Sequence, residues 1–300
     1  MGVAQIVSEF TITSNDMPGL YQSASQASQN AQKIYFRGLM VYLILLICAA
    51  YISFAHPKDT PGALLSAAFF LISLGILVFI RVQRPDDTWY NGRAVSESVK
   101  TRTWRWMMRA EPYEDCANIE IVSKQFISDL KSILEQNKSL SHSLQSTNAV
   151  KDPISHKMKT VRAYSVADRL AIYLNQRVQN QVEWYWKKAK FNKLRARQWF
   201  WVSVILHSTA IAMLLYRIKD PSISLPVQVI ATAAGAALTW LQAKKHNELN
   251  SAYALTAHEI MLIKGEALSV HDEEQLSEYV LSSETAFSRE HTQWVARRDD

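Results

Sequence analysis

The chain has 300 residues, 48% of them hydrophobic and 20% charged, with a net charge of +6 and a pI near 9.2. Eight glycines and eight prolines are too few for a turn-rich β architecture. The only two cysteines, Cys48 and Cys116, lie far apart with no CxxC spacing, which argues against a disulfide framework and a structural zinc site.

From the start, residues 1–22 form a polar segment without the basic stretch and short apolar core of a cleavable signal peptide. Gly38–Ala55 (GLMVYLILLICAAYISFA) and Gly62–Ile80 (GALLSAAFFLISLGILVFI) carry no charge. Each is near the roughly 20 residues needed to cross a hydrocarbon core. His56–Pro61 joins them as a short polar connector suited to a tight hairpin. Ala94–Leu134 then reads as amphipathic helix, with Trp104, Trp106, Met107, Phe126, Leu130 and Ile133 as core candidates.

A serine-rich stretch, Asn137–Pro153, lies within a polar linker over 137–160. Beyond it, Ser165 is a plausible N-cap with Asp168 three residues on, opening one very long helix. Leu170, Leu174, Val178, Val182 and Tyr185 give that helix an apolar stripe. Trp199–Tyr216 is a third apolar run containing His207, and Leu225–Leu241 a fourth, shorter and alanine-rich. Arg217–Ser224 forms the second connector. His246–Leu268 reads as helix, and Leu276, Val280, Phe287 and Trp294 mark one face of a last helix. The expected fold is an all-α membrane protein with four transmembrane helices in two hairpins.

The same order recurs on both sides of the linker: approach helix, span, connector, span, helical tail. This predicts a parallel tandem duplication with units at 23–136 and 161–300. Basic residues concentrate on one side of the spans: Lys33 and Arg37, then Arg81, Arg84 and Arg93, then Lys187, Lys188, Lys190, Lys193, Arg195 and Arg197, then Lys244 and Lys245. The connectors offer Lys58, Arg217 and Lys219 against Asp59 and Asp220. The positive-inside rule therefore puts both termini and the central region in the cytoplasm. The cluster from Lys187 to Arg197 adjoins a span, so anionic lipid is its expected partner and nucleic acid is not.

No phosphate-binding glycine loop, HExxH or GxSxG occurs, and His258-Glu259 lacks a second histidine at zinc-binding spacing. Glu273, Glu274 and Glu284 read as solvated helix faces. Neither enzyme activity nor a cofactor or metal is expected. Polar groups within spans are more informative, because lipid penalises them. His207, with Ser203 one turn earlier, either lines or gates a pore or is a neutral imidazole bonded to a neighbouring helix. Thr232 and Thr239 could likewise line water, whereas Gly235 and Ala231 have the small size that allows close helix contact. Ser66, Ser73 and Gly75 read as packing.

Three segments are distinctive in wording. WYNGRAVSESVKTRTWRWMMRAEPYED, at Trp89–Asp115, resembles the segment after the hairpin in one branch of the SLATT superfamily. YLNQRVQNQVEWYWKKAKFNK, at Tyr173–Lys193, resembles the approach to the hairpin in a second branch, and SSETAFSREHTQWVARR, at Ser282–Arg298, that branch's terminal helix. Together they resemble a tandem SLATT (DUF4231-containing) protein over about Ser23 to Arg298. The resemblance implies two-span membrane effectors of prokaryotic conflict systems, associated with nucleotide-generating or nucleotide-sensing partners and held to form pores. This sequence shows no nucleotide-sensor domain, so the trigger is expected from a partner protein, a nucleotide or the helices outside the membrane. The expected function is a homo-oligomeric effector whose second hairpin lines a conduit. The alternative is a non-conducting scaffold that anchors a partner through its helical bundle.

Overall fold

A computed structural model describes residues 11–114, 118–144, 148 and 150–296, the side chains of 289–296 excepted. The described residues form helices and turns with no strand. The long helices are α1 (Gly19–Ala55), α2 (Thr60–Gln83), α3 (Pro85–Met108) and α4 (Ile119–Gln136). The shorter α5 (His156–Arg162) and α6 (Val166–Tyr173) follow, then α7 (Gln179–Lys219), α8 (Val227–Lys244), α9 (His246–Glu266) and α10 (Glu273–Ala296). Ser165 caps α6, its hydroxyl accepting from the Asp168 amide at 3.3 Å. The expected long helix runs on to Lys219, interrupted only by a π-helical turn at Leu174–Val178.

Helix ends follow from local chemistry. Asp59 and Pro61 open α2, since Pro61 sits in the first turn, where its missing N–H costs nothing. Arg84, Arg109 and Lys245 close α2, α3 and α8 in the left-handed region, with φ of 44°, 56° and 46°. These are basic residues where glycine is usual. Their charges sit at helix C-termini, where the helix dipole favours cations.

Two compact units result, and each draws on both halves of the chain. One comprises residues 33–85 and 187–253 and holds the apolar segments. Within it, the Ser66 hydroxyl of α2 donates to the Ala49 carbonyl of α1 at 3.0 Å. A Cβ on Gly38 would stand 3.1 Å from Ile80 Cδ1, so the glycine lets α1 and α2 approach. Leu43, Ala236 and Trp240 form a core with Phe36, Leu39, Tyr42, Ile47 and Trp199 around it, joining α1, α7 and α8. Lys244 lies with its Nζ 3.2 Å from the Phe36 ring centroid and 4.8 Å from that of Trp240, a cation–π contact to both.

Three helical stretches, Gly19–Ala55, Thr60–Met108 and Val166–Lys219, are long and apolar enough to cross a membrane. Their most apolar windows are only 11%, 11% and 0% buried, so the chain leaves nearly all of that surface for lipid or for other chains. The fourth segment folds as α8, which falls short of the other three in length and apolar character.

The second unit comprises the described residues up to 32, 86–186 and those from 254 onward. The sequence-predicted core holds here. Trp104, Trp106, Met107, Phe126, Leu130, Leu276, Val280 and Phe287 are all buried, and Ile133 is half-buried. The Trp294 side chain lies outside the described residues. Gly92 brings α3 against α1, since a Cβ there would stand 2.9 Å from the Ala24 carbonyl oxygen. Arginines collect the carbonyls near the ends of both α3 and α5. Arg162 donates to Trp106, Arg169 to Met108 at 2.7 Å, and Arg109 to Arg162 itself at 2.8 Å.

Candidate functional site

The polar groups expected to line water lie on α7 and α8, and each is tied to its own helix. His207 Nδ1 is 2.7 Å from the Ser203 carbonyl oxygen. A carbonyl only accepts, so Nδ1 is the donor in this contact. The ring also lies 3.4 Å from the Ser203 hydroxyl. Thr232 donates to Gln228 O at 2.8 Å and Thr239 to Gly235 O at 2.9 Å. His207 and Thr239 are exposed, while Ser203 and Thr232 are partly covered.

Gly235 and Ala231 are exposed, and a Cβ added at Gly235 would meet nothing within 4 Å. The small residues that do pack are Ala234, Ala236 and Ala237, on the face that also buries Trp240. Gly75 likewise meets nothing within 4 Å, whereas Ser66 and Ser73 are buried.

Lys187, Lys188, Lys190, Lys193, Arg195 and Arg197 are all exposed along α7. Between them Ala189, Asn192 and Ala196 are buried, so the helix keeps a small, uncharged face inward and turns its cations outward. Asn192 receives His246 Nδ1 on its side-chain oxygen at 2.7 Å. Burial, and then the charges of Lys244 and Arg195, hold the His246 imidazole below its ordinary pKa of 6.5.

The most concentrated polar site lies in the other unit and was not expected. Glu284, read from sequence as solvated, is fully buried, as is Arg177 apart from 2%. Arg177 Nε and Nη2 donate to the two Glu284 carboxylate oxygens at 2.8 and 2.7 Å. The Tyr173 hydroxyl donates to one of those oxygens at 3.0 Å and the Thr101 hydroxyl to the other at 2.8 Å. Four donors thus fill both oxygens, and Arg177 also stacks over Phe287 at 5.0 Å. Burial by itself would lower the Arg177 pKa; the adjoining carboxylate reverses this and raises it. Burial first, and Glu284 second, push the Tyr173 hydroxyl well above its ordinary range. Lys100 is lowered by burial, with Glu97 opposing. The hub is thus a buried acceptor whose two oxygens are both satisfied.

Sequence reasoning overlooked Arg169, Arg177 and Thr101 and took Glu284 as solvated, because polar and charged residues on an amphipathic helix ordinarily face water. One signal was present. Tyr173, Arg177, Gln181, Tyr185 and Ala189 recur every fourth residue, and all are buried. That row lies beside the expected stripe, of which Val178 and Tyr185 are buried and Leu170, Leu174 and Val182 half-buried.

Paired apolar helices with bare outer surfaces, joined to a polar helical unit, define an all-α membrane protein. The chain belongs to the SLATT family, with two domains in tandem. Residues 18–170 match SMODS and SLOG-associating 2TM effector domain 3, and residues 173–294 match SMODS and SLOG-associating 2TM effector domain 1. No curated protein and no solved structure matches the chain. In these terms Thr101 belongs to the first domain and Tyr173, Arg177 and Glu284 to the second, so the buried hub ties the two domains together.

Proposed function

We propose that this chain is a homo-oligomeric membrane effector that opens a conduit, or otherwise perturbs the bilayer, on an intracellular signal. It spans the membrane four times, with both ends and the polar helical unit in the cytoplasm. The observation that carries the reading is the exposed outer surface of α7 and α8. His207 and Thr239 are exposed there, and so is Gly235, where an added Cβ would meet nothing within 4 Å. A single chain with so few polar groups cannot enclose a hydrated path, so a conduit requires neighbouring copies.

The fourth span is supported by its packing. Helix α8 buries Ala234, Ala236, Ala237 and Trp240 against protein, so it needs less apolar surface than a helix surrounded by lipid. The exposed cations from Lys187 to Arg197 fit the cytoplasmic headgroup layer. The family's association with SMODS and SLOG partners supports a nucleotide-signalling protein, or a nucleotide, as the trigger.

A second reading, the non-conducting scaffold, draws on one observation. His207, Thr209, Thr232 and Thr239 all bond back to their own helices, so they can face lipid with their donors satisfied. Ion flux through liposomes separates the two. Wild type is compared with His207→Ala and Thr232→Leu, with and without candidate cyclic and oligonucleotide signals. A conduit gives flux whose size or selectivity changes in these variants. An assembled protein silent under every signal is a scaffold.

A further inference from the structure

Leu174–Val178 is the one π-helical segment among the described residues, and it lies in the helix that continues into the third apolar run. A π turn closes its hydrogen bonds one residue further along than an α turn, so it holds one residue more. The buried ladder explains its position. Tyr173, Arg177, Gln181, Tyr185 and Ala189 are buried at four-residue steps. In a straight α-helix, with about 100° per residue, such a row drifts by about 160° from first to last. One π turn absorbs a residue and removes most of that drift, which keeps the row inward. The turn is also clamped. Tyr173 precedes it, Arg177 lies within it, and both donate to the same Glu284 carboxylate. The remaining Arg177 nitrogen, Nη1, is buried and bonds to nothing, so the clamp holds a donor unsatisfied.

We propose that this π turn is a rotation switch, in which Glu284 holds Arg177 in the wide turn and release of Arg177 lets the turn close to α geometry. Closure advances every residue from Gln179 onward by one position, about 100° around the helix axis and about 1.5 Å along it. Asn180, Trp184 and Lys188, now exposed, then take the bearings of Gln181, Tyr185 and Ala189. In the third span, the same step puts Leu206 where His207 had been, exchanging a polar for an apolar side chain at that bearing. That last consequence alone rests on the conduit reading; the switch itself does not.

The test uses full-length protein in liposomes with Cys48 and Cys116 replaced by alanine. Single cysteines are placed at 180, 181, 184, 185, 188 and 189, and their rates with a water-soluble maleimide are measured. All of these lie outside the spans, so the readout needs no flux. In the parent, 181, 185 and 189 are protected. In Glu284→Gln, protection moves to 180, 184 and 188, with rates at each pair exchanging by about tenfold. Deletion of Asn175 removes the extra residue and fixes the parent register. It should fold with the parent pattern and abolish the effect of Glu284→Gln. An unchanged pattern in folded Glu284→Gln overturns the proposal, as does uniform exposure, a shift that persists in the deletion, or a deletion that cannot fold. Where Glu284→Gln itself fails to fold, Thr101→Val removes one of the four donors and is read by the same criteria.

Discussion

Glu284 takes hydrogen bonds from Thr101, Tyr173 and two nitrogens of Arg177, and none of its surface meets water. Removing the cation leaves a buried carboxylate without a counter-charge, whereas removing both charges leaves only a volume to fill. Arg177→Met should therefore lower the unfolding free energy by about 3–5 kcal/mol. The double variant Arg177→Met/Glu284→Leu should recover most of that loss. Denaturant titration of the detergent-solubilised protein reads both, and a double variant no better than the single would show that packing, not charge, dominates. His246 makes a pH prediction. Its folded imidazole is held below 6.5, by burial first, so the unfolded chain binds the proton more readily. The stabilisation is thus complete above about pH 6.5 and is lost as pH falls through the lowered folded value. The melting temperature should drop on acidification from pH 7.5 to 5, and His246→Gln should flatten that drop.

Among the elements, the first hairpin is set by its connector. A Cβ on Gly62 would lie 2.4 Å from His56 Cβ, while one on Gly75 would meet nothing. Gly62→Ala should therefore destabilise the protein by about 1–3 kcal/mol, while Gly75→Ala should be neutral or slightly stabilising, which parallel thermal melts would show. The spans, the Ser165 cap and the aromatic core were legible in the sequence because each depends on local pattern: uninterrupted apolar length, a hydroxyl before a helical run, large rings at helical spacing. The buried arginines were not, because a guanidinium is placed inside only by acceptors brought from elsewhere. For Arg169 and Arg162 these are carbonyls at the end of α3, and for Arg177 the carboxylate of α10. The π turn is intermediate. The four-residue ladder from Tyr173 to Ala189 is visible, but its half-buried neighbours Leu170, Leu174 and Val182 are the stronger apolar signal and drew the inward face one residue aside. Which side of helix α8 meets the rest of the chain was hidden for a related reason. Small residues occur all round that helix, and only the position of Trp240 shows which side meets the rest of the chain.

At the level of the whole molecule, two sequence-contiguous domains are divided into two spatial units that each use both, so neither domain holds a complete core of its own. The apolar unit buries one side of α8 and leaves the other, with Ala231, Gly235, Leu238 and Thr239, open. A membrane helix of this composition meets either lipid or another helix there, and small residues favour the helix, because they let backbones approach. Gly235→Leu separates these outcomes, since the new side chain meets nothing within its own chain. If copies associate through this face, the variant keeps the monomer's melting behaviour but shifts from oligomer to monomer in native mass spectrometry or light scattering in mild detergent. It also loses any flux that the wild type shows. If the face meets only lipid, the added leucine leaves the assembly state unchanged, and the oligomer contact must lie elsewhere on the exposed surface of α7 or α2. The effect on assembly would be large, because leucine at a close helix contact holds the two backbones apart along the whole stripe.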